Sequence, residues 1–185
     1  VVSNNGDIYF SADSKTTNKK AKYFWTGRSF SDLYKIKPGQ SIREKLTEAF
    51  NTAFNEGTMT INSTGDEIIF TRCFATDKSD QYCKLLSTEL KNGEWSLPHQ
   101  IEFQQERINY MHPAFSHDAS LLYFSSNDPN GIGGYDIYYT KRMKTGWQDP
   151  ILLPRNINTT ANEKFPLIHN DTLYFASDGL PGMGG

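Results

Sequence analysis

Cysteine is nearly absent, with Cys73 and Cys83 the only two in 185 residues. That excludes a disulfide-dense scaffold and a Cys-x-x-Cys metal or redox centre, while a single bridge stays open. No apolar stretch approaches the ~18 residues that cross a bilayer as a helix, so the chain is not expected to span a membrane. Neither sign of charge dominates: 19 Lys+Arg against 21 Asp+Glu leave a formal charge of -2. A nucleic-acid partner would require a basic patch, and the one notable cluster, Lys19, Lys20 and Lys22, sits in a polar loop. No nucleic-acid partner is expected. A signal peptide is missing too, since Val1-Val2-Ser3 runs straight into the turn-like Asn4-Asn5-Gly6. For an exported protein the leader is then expected to have been removed or to lie outside these residues.

Aromatics are plentiful, at 14% with 12 Phe and 10 Tyr, and both residue types suit pleated, packed strands. Four segments share an apolar-aromatic run that ends in Phe and then a small or hydroxyl residue. They are Ile8-Tyr9-Phe10-Ser11, Ile68-Ile69-Phe70-Thr71, Leu122-Tyr123-Phe124-Ser125 and Leu173-Tyr174-Phe175-Ala176, with Phe-to-Phe spacings of 60, 54 and 51. Each follows a hairpin-corner composition such as Asn5-Gly6-Asp7 or Thr64-Gly65-Asp66. Other landmarks keep step. Asn51-Thr52-Ala53-Phe54-Asn55-Glu56 recurs 107 residues later as Asn158-Thr159-Thr160-Ala161-Asn162-Glu163, and Trp95 and Trp147 are 52 apart. The Gly-rich stretch 127–134 is echoed at 177–185.

A period near 50 with several short strands per unit predicts an all-β fold, a β-propeller of four-stranded antiparallel blades. The units fall at about 1–50, 51–105, 106–157 and 158–185, the first and last incomplete. That amounts to about three and a half blades of a larger ring. The third unit predicts strands at His112–Ser116, Leu121–Ser126, Asp136–Arg142 and Trp147–Leu153. The second strands are continuously apolar, as a sheet buried on both faces requires. Ile42, Leu46, Ala49 and Phe50 fall at helical spacing, yet the repeat favours a strand at Ser41–Leu46 with Ile42 and Leu46 on one face.

No catalytic constellation stands out. His99, His112, His117 and His169 are scattered along the chain, and no serine sits in a Gly-x-Ser-x-Gly elbow. His112-Pro113 opens a first strand near the point where a propeller narrows, and a structural role is favoured over ligand binding. Gly131, Gly133 and Gly134 read as a tight crossing that needs positive φ rather than as an anion cradle, because no helix follows. No cofactor is expected. Calcium at Asp128 or Asp178 is the weaker alternative, since the spacing of a calcium loop is missing. Trp95 and Trp147 are expected to pack between blades, and Asn55, Glu56, Asn162 and Glu163 to cap turns. Tyr23, Phe24 and Trp25, which lie outside the repeat, are the candidate contacts for a partner or ligand.

In these motifs the chain resembles the Bacteroidota OmpA-family envelope proteins with TolB-like (WD40-like) propeller repeats. The matching stretches are Asn51 to Phe70 with Thr71-Arg72-Cys73, and His112-Pro113-Ala114-Phe115-Ser116 through Gly133-Gly134-Tyr135-Asp136-Ile137-Tyr138. Ile157-Asn158-Thr159 and Leu173 to Gly185 complete them. Ile61-Asn62-Ser63-Thr64-Gly65 departs from the usual Phe-Ser-Pro-Asp-Gly turn, and His117 stands where Pro is common. The resemblance implies a periplasmic protein associated with the outer membrane. Its expected partners are envelope proteins such as a PorP/SprF-like outer-membrane protein of type IX secretion and gliding. Peptidoglycan would be held by a domain that these residues do not include. The function implied is a non-enzymatic protein-interaction scaffold. Two alternatives stay open: a glycan- or peptidoglycan-binding module using Tyr23 and Trp25, and a propeller glycosidase or peptidase with catalytic groups in further blades. Cys73 follows a second strand and Cys83 precedes or enters a third, with Phe74–Tyr82 as the loop between. Hairpin strands about 5 Å apart allow a disulfide that an oxidising periplasm would preserve. Two unbonded, buried cysteines are the alternative.

Overall fold

The computed structural model describes residues 1–13, 29–75 and 81–182. Among them there are fourteen strands and no helix. A three-stranded sheet comprises β1 (Ile8–Asp13), β2 (Ser31–Ile36) and β3 (Glu44–Lys45). The second sheet runs β4 (Asn55–Ile61), β5 (Glu67–Ala75), β6 (Gln81–Lys91) and β7 (Glu94–Trp95), with β8 (His99–Gln100) also paired to β6. The third runs β9 (Tyr110–Phe115), β10 (Leu121–Ser126), β11 (Asp136–Lys141) and β12 (Ile151–Leu152). The last is a hairpin of β13 (Glu163–His169) and β14 (Thr172–Ser177). Neighbouring strands in every sheet are antiparallel.

Turn chemistry explains the hairpins. Asn62 Oδ1 accepts the amides of Gly65, Asp66 and Glu67 and so closes β4 onto β5 without the usual proline. Asn170 and Asp171 both have positive φ, 47° and 57°, as a two-residue type I′ connection of β13 to β14 demands.

Two apolar layers hold the first three sheets together. Tyr9, Leu33 and Phe50 meet Ile68, Phe70 and Leu86 in one; Ile69 and Leu85 meet Phe115, Leu122 and Phe124 in the other. Successive residues of β5 therefore enter opposite layers, and Ile68, Ile69 and Phe70 are all fully buried. Fully burying such a side chain contributes about 1.5–3 kcal/mol, so this strand anchors the molecule. β13 packs on β9, β10 and β11.

The repeat also has a hydrogen-bond signature. Asn51 Oδ1 accepts the Leu33 amide at 2.6 Å, while its Nδ2 donates to the carbonyls of Leu33 and Leu46. Asn158 does the same to Ile137 and Leu153, and Gln104 to Leu85 and Ile101. Each amide thus clasps both backbone groups of a buried third-strand residue, whose carbonyl also accepts the backbone amide of Leu46, Ile101 or Leu153.

Four sequence expectations need correction. Strand pairing of Ser41–Leu46 shrinks to Glu44–Lys45, and Ile42 is 79% exposed rather than facing inward beside Leu46. The fourth strand expected at Trp147–Leu153 is only Ile151–Leu152, with Trp147 in an isolated bridge to Arg142. Second strands buried on both faces hold for β5 and largely for β10, but β14 alternates between exposed and half-buried residues. Residues Phe74 and Tyr82 belong to paired strands rather than to a loop, and Cys73 lies directly opposite Cys83.

Candidate functional site

The first strands β4, β9 and β13 converge on one cleft of about 490 Å³. Each carries a register shift: between Glu56 and Met59 in β4, opposite Tyr123–Ser125 in β9, and between Lys164 and Leu167 in β13. Such bulges re-aim side chains, and here they turn residues of each first strand toward the cleft. In β9 and β13 the bulged residue precedes a proline. A pre-proline residue is pushed out of the right-handed helical region. His112 and Phe165 take φ of 58° and 55° there, an uncommon state for side chains of this size. The strain, on the order of 1–3 kcal/mol per residue, needs outside support. The His112 amide donates to Thr71 Oγ1 of the second sheet at 3.1 Å, and the Phe115 amide to Thr60 Oγ1 at 3.1 Å.

The His112 and Phe165 rings lie 3.9 Å apart, centroid to centroid. Burial, and then the charge of Lys164, push the imidazole down to about 4, so it is neutral at pH 7. Its Nδ1 is buried without a hydrogen-bond partner. His117, in the turn just after β9, and His169, at the end of β13, line the same cleft, so a histidine distant in sequence joins a neighbouring pair; His99 sits apart in β8. Sequence spacing could not reveal this, because His169 comes from a different strand than His112 and His117. Among the described residues no serine hydroxyl is hydrogen-bonded to a histidine ring. Asp118, held at about 2 by the hydroxyls of Ser116 and Ser120 and the Ser120 amide, closes the β9–β10 turn beside His117.

The other candidates divide clearly. Tyr23, Phe24 and Trp25 lie outside the described residues. Cys73 and Cys83 are joined by a disulfide. Asn55 Oδ1 receives the Ser31 amide, and Glu56, fully buried, receives Thr52 and Arg72. Glu163 takes the Thr159 amide and hydroxyl together with the Ser177 hydroxyl, and Asn162 bonds Asp178. All four stand where chain segments cross between sheets. Trp95 packs edge-on to Phe50, and Trp147 stacks against Phe115 with the Arg142 guanidinium over both rings.

The glycine corner departs from the positive-φ expectation. Gly131, Gly133 and Gly134 are not among the residues of positive φ. Their need is space: a Cβ at Gly133 would lie 2.5 Å from the carbonyl oxygens of Thr159 and Ala161, and one at Gly134 2.5 Å from Asn162 Oδ1. Asp128 Oδ1 is occupied by the Asn130 amide and side chain, and Asp178 by Asn162.

No family model and no curated protein matches the chain. Among solved structures it is similar to one from a structural and mechanistic study of two prolyl endopeptidases, at 13% identity and a TM-score of 0.49. The match covers 96% of this chain and 24% of that one, so this chain spans about a quarter of its length. A TM-score below 0.5 does not establish a shared fold.

Proposed function

We propose that the chain forms consecutive blades of a β-propeller and serves as a protein-binding scaffold in a bacterial envelope. Two observations together carry the propeller reading: three successive sheets are locked by the same amide clasp, and the first strands β4, β9 and β13 of the second, third and fourth sheets line a common cleft. Radial repetition of four-stranded meanders around a channel has this arrangement. The scaffold role draws on the strained bulges at His112 and Phe165, where the largely buried imidazole backs a Phe165 ring that stays exposed at the cleft. The compartment and the partner, a periplasmic site and a PorP/SprF-like outer-membrane protein, rest on the resemblance in the repeat motifs. The Cys73–Cys83 disulfide is in keeping with an oxidising compartment. Among the described residues no helix is long and apolar enough to cross a membrane.

Affinity purification of the full-length protein from native envelopes tests this reading. A PorP/SprF-like protein should co-purify, and Phe165→Ala should reduce its recovery. Retention on purified cell wall without such a protein would favour the glycan-binding alternative. Turnover of a peptide or glycoside would replace the scaffold with an enzyme.

A further inference from the structure

One strand position recurs as Asp32, Lys84 and Asp136, each just before the clasped residue Leu33, Leu85 or Ile137. In the first sheet Asp32 is fully buried and meets the Lys45 ammonium at 2.9 Å. In the second the residue is itself a lysine, and Lys84 Nζ donates to the carbonyls of Gln105 and Ile108. A cationic nitrogen therefore serves this position in both sheets.

The third sheet has the buried anion without the ammonium. Lys45 lies opposite Tyr34, whereas the residue opposite Tyr138 in the same register is Leu152. Asp136 is nonetheless fully buried. Its Oδ2 accepts the amides of Ile132 and Gly133 at 2.8 and 3.0 Å. Its Oδ1 is buried without a hydrogen-bond partner. The Tyr138 hydroxyl, on a residue only 6% exposed, also has none, and neither does Ser126 Oγ on the residue paired with Asp136. These groups gather at one corner. A Cβ at Gly131 would collide with Asp136 Oδ2 and lie 3.1 Å from both the Tyr138 hydroxyl and the Asp128 carbonyl oxygen. A buried carboxylate with an unsatisfied oxygen is costly unless a positive charge compensates it.

We propose that the Asp136 corner binds a calcium ion, which takes the place of the lysine ammonium of the two sister sheets. The donors are all hard oxygens: the Asp136 carboxylate, the Tyr138 hydroxyl and the Asp128 main-chain carbonyl, which also accepts the Gly131 amide, with water completing the shell. Among the described residues no three His, Cys, Asp or Glu come together as a metal cluster. With one buried carboxylate leading the set, the affinity belongs in the weak extracellular range, on the order of 10⁻⁴–10⁻³ M. Mg²⁺, which demands near-ideal octahedral geometry, should bind less well. This site stands apart from the cleft and does not depend on the scaffold reading.

The test is a calcium titration of the chelator-treated full chain, followed by heat of binding and by thermal melting. Wild type should take up one ion and melt at a higher temperature in about 5 mM Ca²⁺ than in the chelator. Asp136→Asn keeps an acceptor for the Ile132 and Gly133 amides and should weaken binding by about tenfold or more. Tyr138→Phe, which keeps the ring packed, should weaken it severalfold, and it decides the matter if the Asn variant fails to fold. No uptake by wild type up to about 10 mM, or equal uptake by the variant tested, would overturn the site.

Discussion

β10 and β14 carry nearly the same words, Leu122-Tyr123-Phe124-Ser125 and Leu173-Tyr174-Phe175-Ala176, and lead different lives. Leu122 and Phe124 are fully buried, whereas Leu173 and Phe175 are only half-buried and Tyr174 is 53% exposed. The difference lies in the neighbours. Phe124 stacks against Phe103 and Tyr138 and tilts onto Tyr110, inside an apolar layer shared with Ile69 and Leu85 of the second sheet. β14 pairs with β13 alone. A strand motif therefore sets which residues alternate, while the layer laid against it sets how much each one stabilises.

The largest expected effect follows directly. Phe124→Ala should cost about 3–5 kcal/mol, and Phe175→Ala clearly less, about 1–2 kcal/mol, in denaturant unfolding at pH 7. Similar losses at the two sites would mean that the middle and terminal strands are equally packed.

A second experiment asks how firmly the terminal hairpin sits on the third sheet. His112 is held near 4 by burial and by Lys164, and the Phe165 ring of β13 supplies part of that burial. Because the folded value lies below the unfolded one of about 6.5, the unfolded chain binds the proton first as pH falls. Stability should therefore be full above pH ~6.5 and drop by up to about 3 kcal/mol on the way to pH ~4. His112→Gln should flatten that slope. NMR titration of the imidazole provides the direct readout, and Phe165→Ala should move its midpoint up toward 6.5; an unmoved midpoint would detach the hairpin from the histidine.

The smallest effect concerns the far end of the middle sheet, where β5 and β6 extend to Ala75 and Gln81. The Cys73–Cys83 bridge closes a separation of 10 residues. Replacing both cysteines with serine should lower stability by about 2–3 kcal/mol through the freed unfolded chain. A reduced wild type that unfolds at the same denaturant concentration as the oxidised one would remove the staple from the comparison.

Much was legible from residue order alone. Alternation and turn residues are properties of a few consecutive positions, and they bound Leu121–Ser126 to the residue. The clasp was half legible: Asn51 and Asn158 belong to a visible motif, but Gln104 performs the same task with a longer side chain and no matching neighbours. Hydrogen-bond geometry accepts either amide, and text comparison does not.

The sequence by itself determined the all-β class, the positions of the hairpin corners and the repeat spacing, because strand pleat and turn chemistry act over a few residues. Only the tertiary structure decided which repeated phenylalanines are buried, that His112, His117 and His169 meet at one cleft, and that Asp136 lacks the lysine its sister position has. Those outcomes depend on side chains some 50 residues away being pressed to within a few ångströms. Burial and charge compensation act through such distances in space and leave no local mark in the chain.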